Sequence, residues 1–128
     1  MHANKIVIHF KDGSVFKGNT HDFSPDRKFF HFIHSKGEIR EIDVENLKAI
    51  FFVKDSEGNK EHVYLYDDLI AGGGKKTAVN FSDGETIIGY VLGYSAQRQG
   101  FFMMPADLSG NNERIFIVKS ATTNIEFL

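Results

Sequence analysis

Six histidines (His2, His9, His21, His31, His34 and His62) are the first residues of this 128-residue chain that could do chemistry. A metal site would need two or three of them to converge with a carboxylate. His31 and His34 lie three apart in a segment that reads as a strand, so they point to opposite faces. His9 and His31 can share a face, but a later segment of the same pattern carries Asn80 and Phe102 at those positions. The histidines therefore read as edge or surface residues, and neither a metal nor another cofactor is expected. Cysteine is absent, which removes disulfides, thiolate ligands and cysteine nucleophiles.

Catalytic motifs are equally sparse. There is no Gly-x-Ser-x-Gly elbow, no phosphate-binding loop with spaced glycines and no His-Glu-x-x-His. Gly72-Gly73-Gly74-Lys75-Lys76 lacks the Ser or Thr after Lys and the following helix that a phosphate cradle needs, so it reads as a hinge. Asp67-Asp68 sits in an acidic stretch, where solvated charge is the ordinary reading. The stretch from Pro105 to Arg114 is richer: Asp107, Asn111, Asn112 and Arg114, with Arg98, can form a polar rim beside Phe101-Phe102-Met103-Met104. Asp107 and Asn111 can instead bond their own backbone as turn formers. Arg27 stands where Arg98 stands in the later segment and joins them as a candidate binding residue. No residue is assigned a catalytic role, and the chain is expected not to be an enzyme.

The elements that must position these side chains come in two copies. One segment reads Val7-Ile8-His9-Phe10-Lys11-Asp12-Gly13-Ser14-Val15-Phe16-Lys17-Gly18 and another Val79-Asn80-Phe81-Ser82-Asp83-Gly84-Glu85-Thr86-Ile87-Ile88-Gly89; an offset of 71 places Phe10 on Phe81, Asp12-Gly13 on Asp83-Gly84 and Gly18 on Gly89. The same offset places Phe23 on Tyr94, Arg27 on Arg98 and Phe30 on Phe101. Further on, Arg40–Val44 resembles Arg114–Val118 at an offset of 74, and Ile50-Phe51-Phe52 matches Ile125-Glu126-Phe127. Each copy opens with an alternating strand, turns at Asp-Gly and enters a second strand at once. Gly18 and Gly89 lie inside that second strand, where glycine marks a bend or a close backbone approach. Third strands are expected at Phe29–His34 and Phe101–Pro105, and fourth strands at Glu38–Asp43 and Arg114–Val118. Short 3₁₀ turns at Glu45–Leu47 and Ser120–Thr122 lead to final strands at Ala49–Val53 and Asn124–Leu128. The expected fold is all-β: a five-stranded, strongly bent barrel at 1–53, an acidic, Gly-ended, partly ordered linker at 54–75, and a second barrel at 76–128.

The strand, Asp-Gly turn and bent strand with a second Gly five residues on, running from Val7 to Gly18 and continuing through Phe23 and Phe29-Phe30, is similar to the first signature of the Sm-like fold. That resemblance implies SH3-like, strongly bent barrels that often assemble into rings through their edge strands. The layout also resembles a group of small, uncharacterised bacterial proteins with two such units. Their ending is similar to Asn111-Asn112-Glu113-Arg114-Ile115-Phe116 with Ile125-Glu126-Phe127-Leu128. The chain departs from the second Sm-like signature. Asn46-Leu47-Lys48 and Ala121-Thr122-Thr123 stand where an Ile-Arg-Gly type tripeptide of the RNA pocket would be.

Charge bears on the same question. Residues 1–53 carry eight Lys and Arg against seven acids, residues 54–74 two against five, and residues 75–128 five against five. No part is basic enough to leave the electrostatic footprint of a nucleic-acid binder. A strip of Lys11, Lys17, Arg27 and Lys28 beside Phe29-Phe30 keeps single-stranded RNA or nucleotide binding as the alternative. Thirteen Phe and no Trp load the chain with aromatic surface. Phe29-Phe30 and Phe51-Phe52 are adjacent pairs whose members face opposite ways, so one of each must be covered by the other repeat, the linker or another chain. The expected role is a non-enzymatic interaction module, a homo-oligomer or a binder of a protein partner. Apolar runs are too short to span a membrane, and Met1-His2-Ala3-Asn4-Lys5 lacks a signal-peptide stretch, so a cytoplasmic location is expected.

Overall fold

A computed structural model describes residues 4–53, 74–91, 94, 97–105 and 112–128, with the backbone alone at 4, 112 and 113. The strands of the first half are β1 (Asn4–Phe10), β2 (Val15–Thr20), β3 (Phe29–His34), β4 (Ile39–Asp43) and β5 (Leu47–Val53). Those of the second are β6 (Lys75–Phe81), β7 (Thr86–Val91), β8 (Gly100–Pro105), β9 (Asn112–Val118) and β10 (Thr122–Phe127). A 3₁₀ turn, Val44–Asn46 or Lys119–Ala121, precedes the last strand of each half. The Asp-Gly turns are as expected, with Gly13 at φ 96° and Gly84 at φ 95°, a region that glycine enters without a Cβ clash. Among the described residues no helix is long and apolar enough to cross a membrane.

All ten strands join in one antiparallel sheet, ordered β10-β6-β7-β8-β9-β5-β1-β2-β3-β4. The sheet is continuous and open, with β10 and β4 at its ends, rather than two sheets each closed on itself. The order nevertheless reads the same in both halves: last strand, first, second, third, fourth. Within each half that order forces a curl. In a flat sheet β4 and β5 would lie about 19 Å apart. The 3₁₀ turn between them spans only about 8 Å. The two ends of each five-strand block must therefore approach one another.

Gly18 and Gly89 lie too close to the neighbouring strand for a side chain. A Cβ on Gly18 would lie 2.2 Å from the Ile33 carbonyl oxygen and 2.7 Å from the Phe32 ring. On Gly89 it would lie 2.3 Å from the Met104 carbonyl oxygen and 2.6 Å from Met103 Cγ. The close approach, matched in both halves, is what requires glycine.

Two apolar cores lie within the curls. The first gathers Ile6, Ile8, Phe30, Phe32, Ile42, Val44, Leu47, Ile50 and Phe52, and the second Val79, Phe81, Val91, Phe101, Met103, Ile115, Ile117 and Ala121. The adjacent strands β5 and β9 feed both: Phe116 and Val118 of β9 enter the first core, while Ala49 and Phe51 of β5 enter or pack on the second. This is why Ala49–Val53 and Ile115–Val118 read as unbroken apolar runs instead of alternating. It also answers the expectation for Phe51, which the second half covers, whereas Phe29 stays 41% exposed under the Lys28 ammonium.

One alignment is corrected. Phe29 pairs with Asp43 and Phe30 with Ile42, while Gly100 pairs with Val118 and Phe101 with Ile117. With the third strands offset by 71, the fourth strands are offset by 75, not 74. Ile39–Asp43 therefore corresponds to Arg114–Val118, and every side chain of the earlier alignment changes face. The last strands, paired to β1 and β6, share that offset, so Leu47 corresponds to Thr122 and Phe52 to Phe127.

Candidate functional site

Polar and aromatic side chains concentrate where the halves meet and where the sheet ends. The joint is the β5–β9 ladder: Ala49 faces Ile117, Ile50 faces Phe116, Phe51 faces Ile115 and Phe52 faces Arg114. The Arg114 guanidinium lies 4.5 Å from the Phe52 ring centroid and 4.7 Å from that of Phe102, so one cation covers aromatics from both halves. At the other end of the ladder the joint is locked by charge. Lys48, the one charged residue in the run of β5, is only 8% exposed. Its Nζ lies 2.7 Å from Asp83 Oδ2, contacts Glu85 Oε1, and sits 4.8 Å from the Phe81 centroid. Burial alone would lower the Lys48 pKa, but hydrogen bonds to Asp83 and Glu85 outweigh it and raise the value above 10.5. The bond from Lys48 holds Asp83 below 3.8. The pKa of His9, whose ring packs at a tilt with its centroid 4.6 Å from that of Phe51, is lowered by burial and by the nearby Lys48 charge.

Two further contacts tie loops across the halves. Lys11 Nζ donates to Ser120 Oγ at 2.7 Å and lies 3.5 Å from Glu45. Gln99 Nε2 donates to the carbonyl oxygens of Pro25 at 2.9 Å and Arg27 at 2.6 Å. A cleft of about 320 Å³ lies beside that contact, lined by Pro25, Asp26, Lys28, Glu45, Arg98 and Gln99 among others. Its charges are mixed, and Arg98 pairs with Asp26 at 3.7 Å.

Among the described residues, Arg98, Arg27 and Arg114 lie in different places. Arg98 lies on this cleft, and Arg27 is turned to Asp22, 3.7 Å away, while its carbonyl receives Gln99. Arg114 is at the joint, and Asn112 opens β9 opposite Val53. Asp107 and Asn111 lie outside the described residues, as does almost all of the 54–75 linker. The basic strip is divided too: Phe30 is fully buried and Lys11 is engaged by Ser120 and Glu45. His9, His31 and His34 do not gather; His31 Nδ1 is 2.7 Å from Asp22 Oδ2, and His34 packs on Phe16 and Phe32. No group of metal-holding side chains occurs among the described residues. Sequence reasoning missed Lys48 with its two carboxylates, although a lone cation inside an apolar strand is itself the signal of a buried partner.

At the ends of the sheet the same backbone positions carry other side chains. On β4 Ile39 is 62% exposed, and Arg40 lies 2.8 Å from Glu38 with its guanidinium 5.6 Å from the Phe16 centroid. A groove of about 220 Å³ runs beside them, lined by Phe10, Phe16, Arg40 and Ile42 among others. On β10 Phe127 is 48% exposed and touches Tyr94, with Lys75 Nζ 5.9 Å from the Phe127 centroid and Lys119 Nζ 5.1 Å from that of Tyr94. Among the described strands these ends have no further partner, and an open end is the feature of a sheet most prone to pairing with another chain. Residues 2–128 match the model of a family of unknown function, DUF6982. No curated protein and no solved structure matches the chain.

Proposed function

We propose that this chain, which belongs to the DUF6982 family of unknown function, is a non-enzymatic interaction module that binds protein by strand addition at its open edges. In this reading each half is a strongly bent, five-stranded unit of the Sm/SH3 type, and the pair works as one scaffold. The observation that carries it is the β5–β9 ladder, in which one half has already recruited the edge strand of the other. β4 and β10 present the corresponding edges, with no outer neighbour among the described strands. Main-chain pairing supplies affinity in such recognition, and side chains on the added strand supply selectivity. The polar groups at the joint favour the same reading, because Lys48, Asp83, Glu85, Lys11 and Gln99 are engaged in holding the halves together.

A photo-reactive side chain placed at position 39 or 127, with position 15 as an exposed control on β2, tests this reading. Protein adducts from 39 and 127 but not from 15 are expected. Adducts to RNA, or equal labelling at all three positions, would overturn it.

A further inference from the structure

An aromatic triad occurs in both halves: Phe23, Phe30 and Phe52 correspond to Tyr94, Phe101 and Phe127. The two triads have the same spacing. Phe23 lies 5.3 Å from Phe30 and 5.7 Å from Phe52, and Tyr94 lies 5.3 Å from Phe101 and 5.6 Å from Phe127. Their surroundings differ. The first triad is completed by the other half, which brings Phe116 to 5.1 Å from Phe23 and Phe102 to 5.9 Å from Phe52. Phe52 is thereby left 3% exposed, whereas its counterpart Phe127 is 48% exposed and Tyr94 38%. Resting on the reading of β10 as a docking edge, we propose that Tyr94, Phe101 and Phe127 form its specificity pocket. The pocket receives an aromatic side chain with acids two positions to either side, on an extended segment of another protein.

The joint shows what such an occupant carries. Arg114, Phe116 and Val118 alternate along β9, so they share one face of it. Phe116 supplies the ring, and Arg114 places a guanidinium 4.5 Å from the Phe52 centroid. Phe127 already has a cation of its own, Lys75 Nζ at 5.9 Å from the ring centroid. At the place of Arg114 a carboxylate is therefore attracted, where a second guanidinium would be repelled. The place of Val118 changes in the same sense. Val118 shares the first core with Val44, whose counterpart is Lys119, and Lys119 Nζ lies 5.1 Å from the Tyr94 centroid. The segments that carry the pocket, β6, residues 94–99, β8 and the turn Lys119–Ala121, contain no acid. Glu126, the one acid of β10, pairs with Ala78 and faces away from Phe127.

The chain's own β4 does not fit this pocket. Ile39, Glu41 and Asp43 stand at the positions of Arg114, Phe116 and Val118, so β4 brings acids but no ring. A ring from another protein takes apolar area of Tyr94 and Phe127 out of water, and acids beside it fix its register against the two lysines. Main-chain pairing along β10 adds affinity without adding selectivity.

Titration of the whole chain with the end-capped peptide Thr-Glu-Thr-Phe-Thr-Glu-Thr, followed by the NMR signals of Lys75, Tyr94 and Phe127, reads this directly. Saturable shifts centred on those residues are expected. Replacing the peptide's Phe by Ala should weaken binding about tenfold or more, and so should Tyr94→Ala in the chain. Lys75→Glu should weaken it to a similar degree, and a peptide with Lys in place of its first Glu should regain the loss on that variant. Unchanged signals from β1, β2 and β3 in each variant separate loss of binding from loss of fold. No saturable shift, or an equal response to the Phe and Ala peptides, overturns the proposal. So does a stronger response to a short single-stranded RNA, or the same shifts on concentrating the chain alone, which would put a second copy in the pocket. If the Phe and Ala peptides bind alike while position 127 still crosslinks to other proteins, the ring pocket is wrong and the docking edge stands.

Discussion

The β5–β9 joint and the β4 and β10 edges occupy equivalent places in a repeated strand order, yet their side chains have diverged. Inside, Phe51, Phe116 and Val118 are apolar and reach across the boundary into or onto the other half's core, and Ile115 meets Phe51 within the second core. Outside, Glu126, Glu41, Arg40 and Asp43 occupy those positions. The backbone can extend a ladder at either place, so the ladder alone does not decide which contact is permanent. Side chains do. An apolar crossing ties two halves into one fold, while a charged crossing keeps an edge soluble and open to a contact that salt can release.

Removing the apolar crossing breaks the contrast most severely. Phe116 is fully buried, so Phe116→Ala should cost about 3–5 kcal/mol in chemical denaturation. Glu41→Ala, its counterpart on β4, should change stability by less than about 0.5 kcal/mol. The glycine pair tests the likeness of the halves instead. Gly18→Ala and Gly89→Ala each force a Cβ into a carbonyl oxygen and should each lose about 3 kcal/mol. A large loss at one position and none at the other would show that the halves curl for different reasons.

Lys48→Met sharpens the comparison on a smaller scale, because the corresponding position on β10 is the exposed Thr123. The substitution keeps an apolar stem over Phe81 and removes the ion pairs, for an expected loss near neutral pH of about 1 kcal/mol. The pH profile gives a second readout. A Lys48 pKa raised above 10.5 stabilises fully below that value and loses its contribution as pH rises through the folded pKa. An Asp83 pKa held below 3.8 stabilises above that value and loses its contribution as pH falls through the folded pKa. Thermal melts of Lys48→Met should therefore lose less than the parent at both extremes.

Much of the plan is legible in the residues. The alternation at Ile6, Ile8 and Phe10, the paired Asp-Gly turns and the equally spaced Gly18 and Gly89 mark the strands and their bends, and β3 falls at Phe29–His34 as expected. The register of the fourth strands is not legible. Ile115-Phe116-Ile117-Val118 is buried on both faces, so it has no period of two to fix its alignment with Ile39–Asp43. For the same reason no residue announces that β9 lies against β5, since that contact joins strands far apart in the chain, Ala49 to Ile117 and Val53 to Asn112. The places of the candidate arginines are not legible either: nearness in sequence does not show that Arg114 lies at the joint while Arg98 and Arg27 lie in the loops around Gln99.

Backbone amide exchange of the chain alone tests the central claim most directly, since one experiment reports on both kinds of edge. Slow exchange in β5 and β9 is predicted, together with faster exchange in β4 and β10. Amides of β4 and β10 as protected as those of the joint, or a β5–β9 ladder as labile as the outer edges, would contradict it.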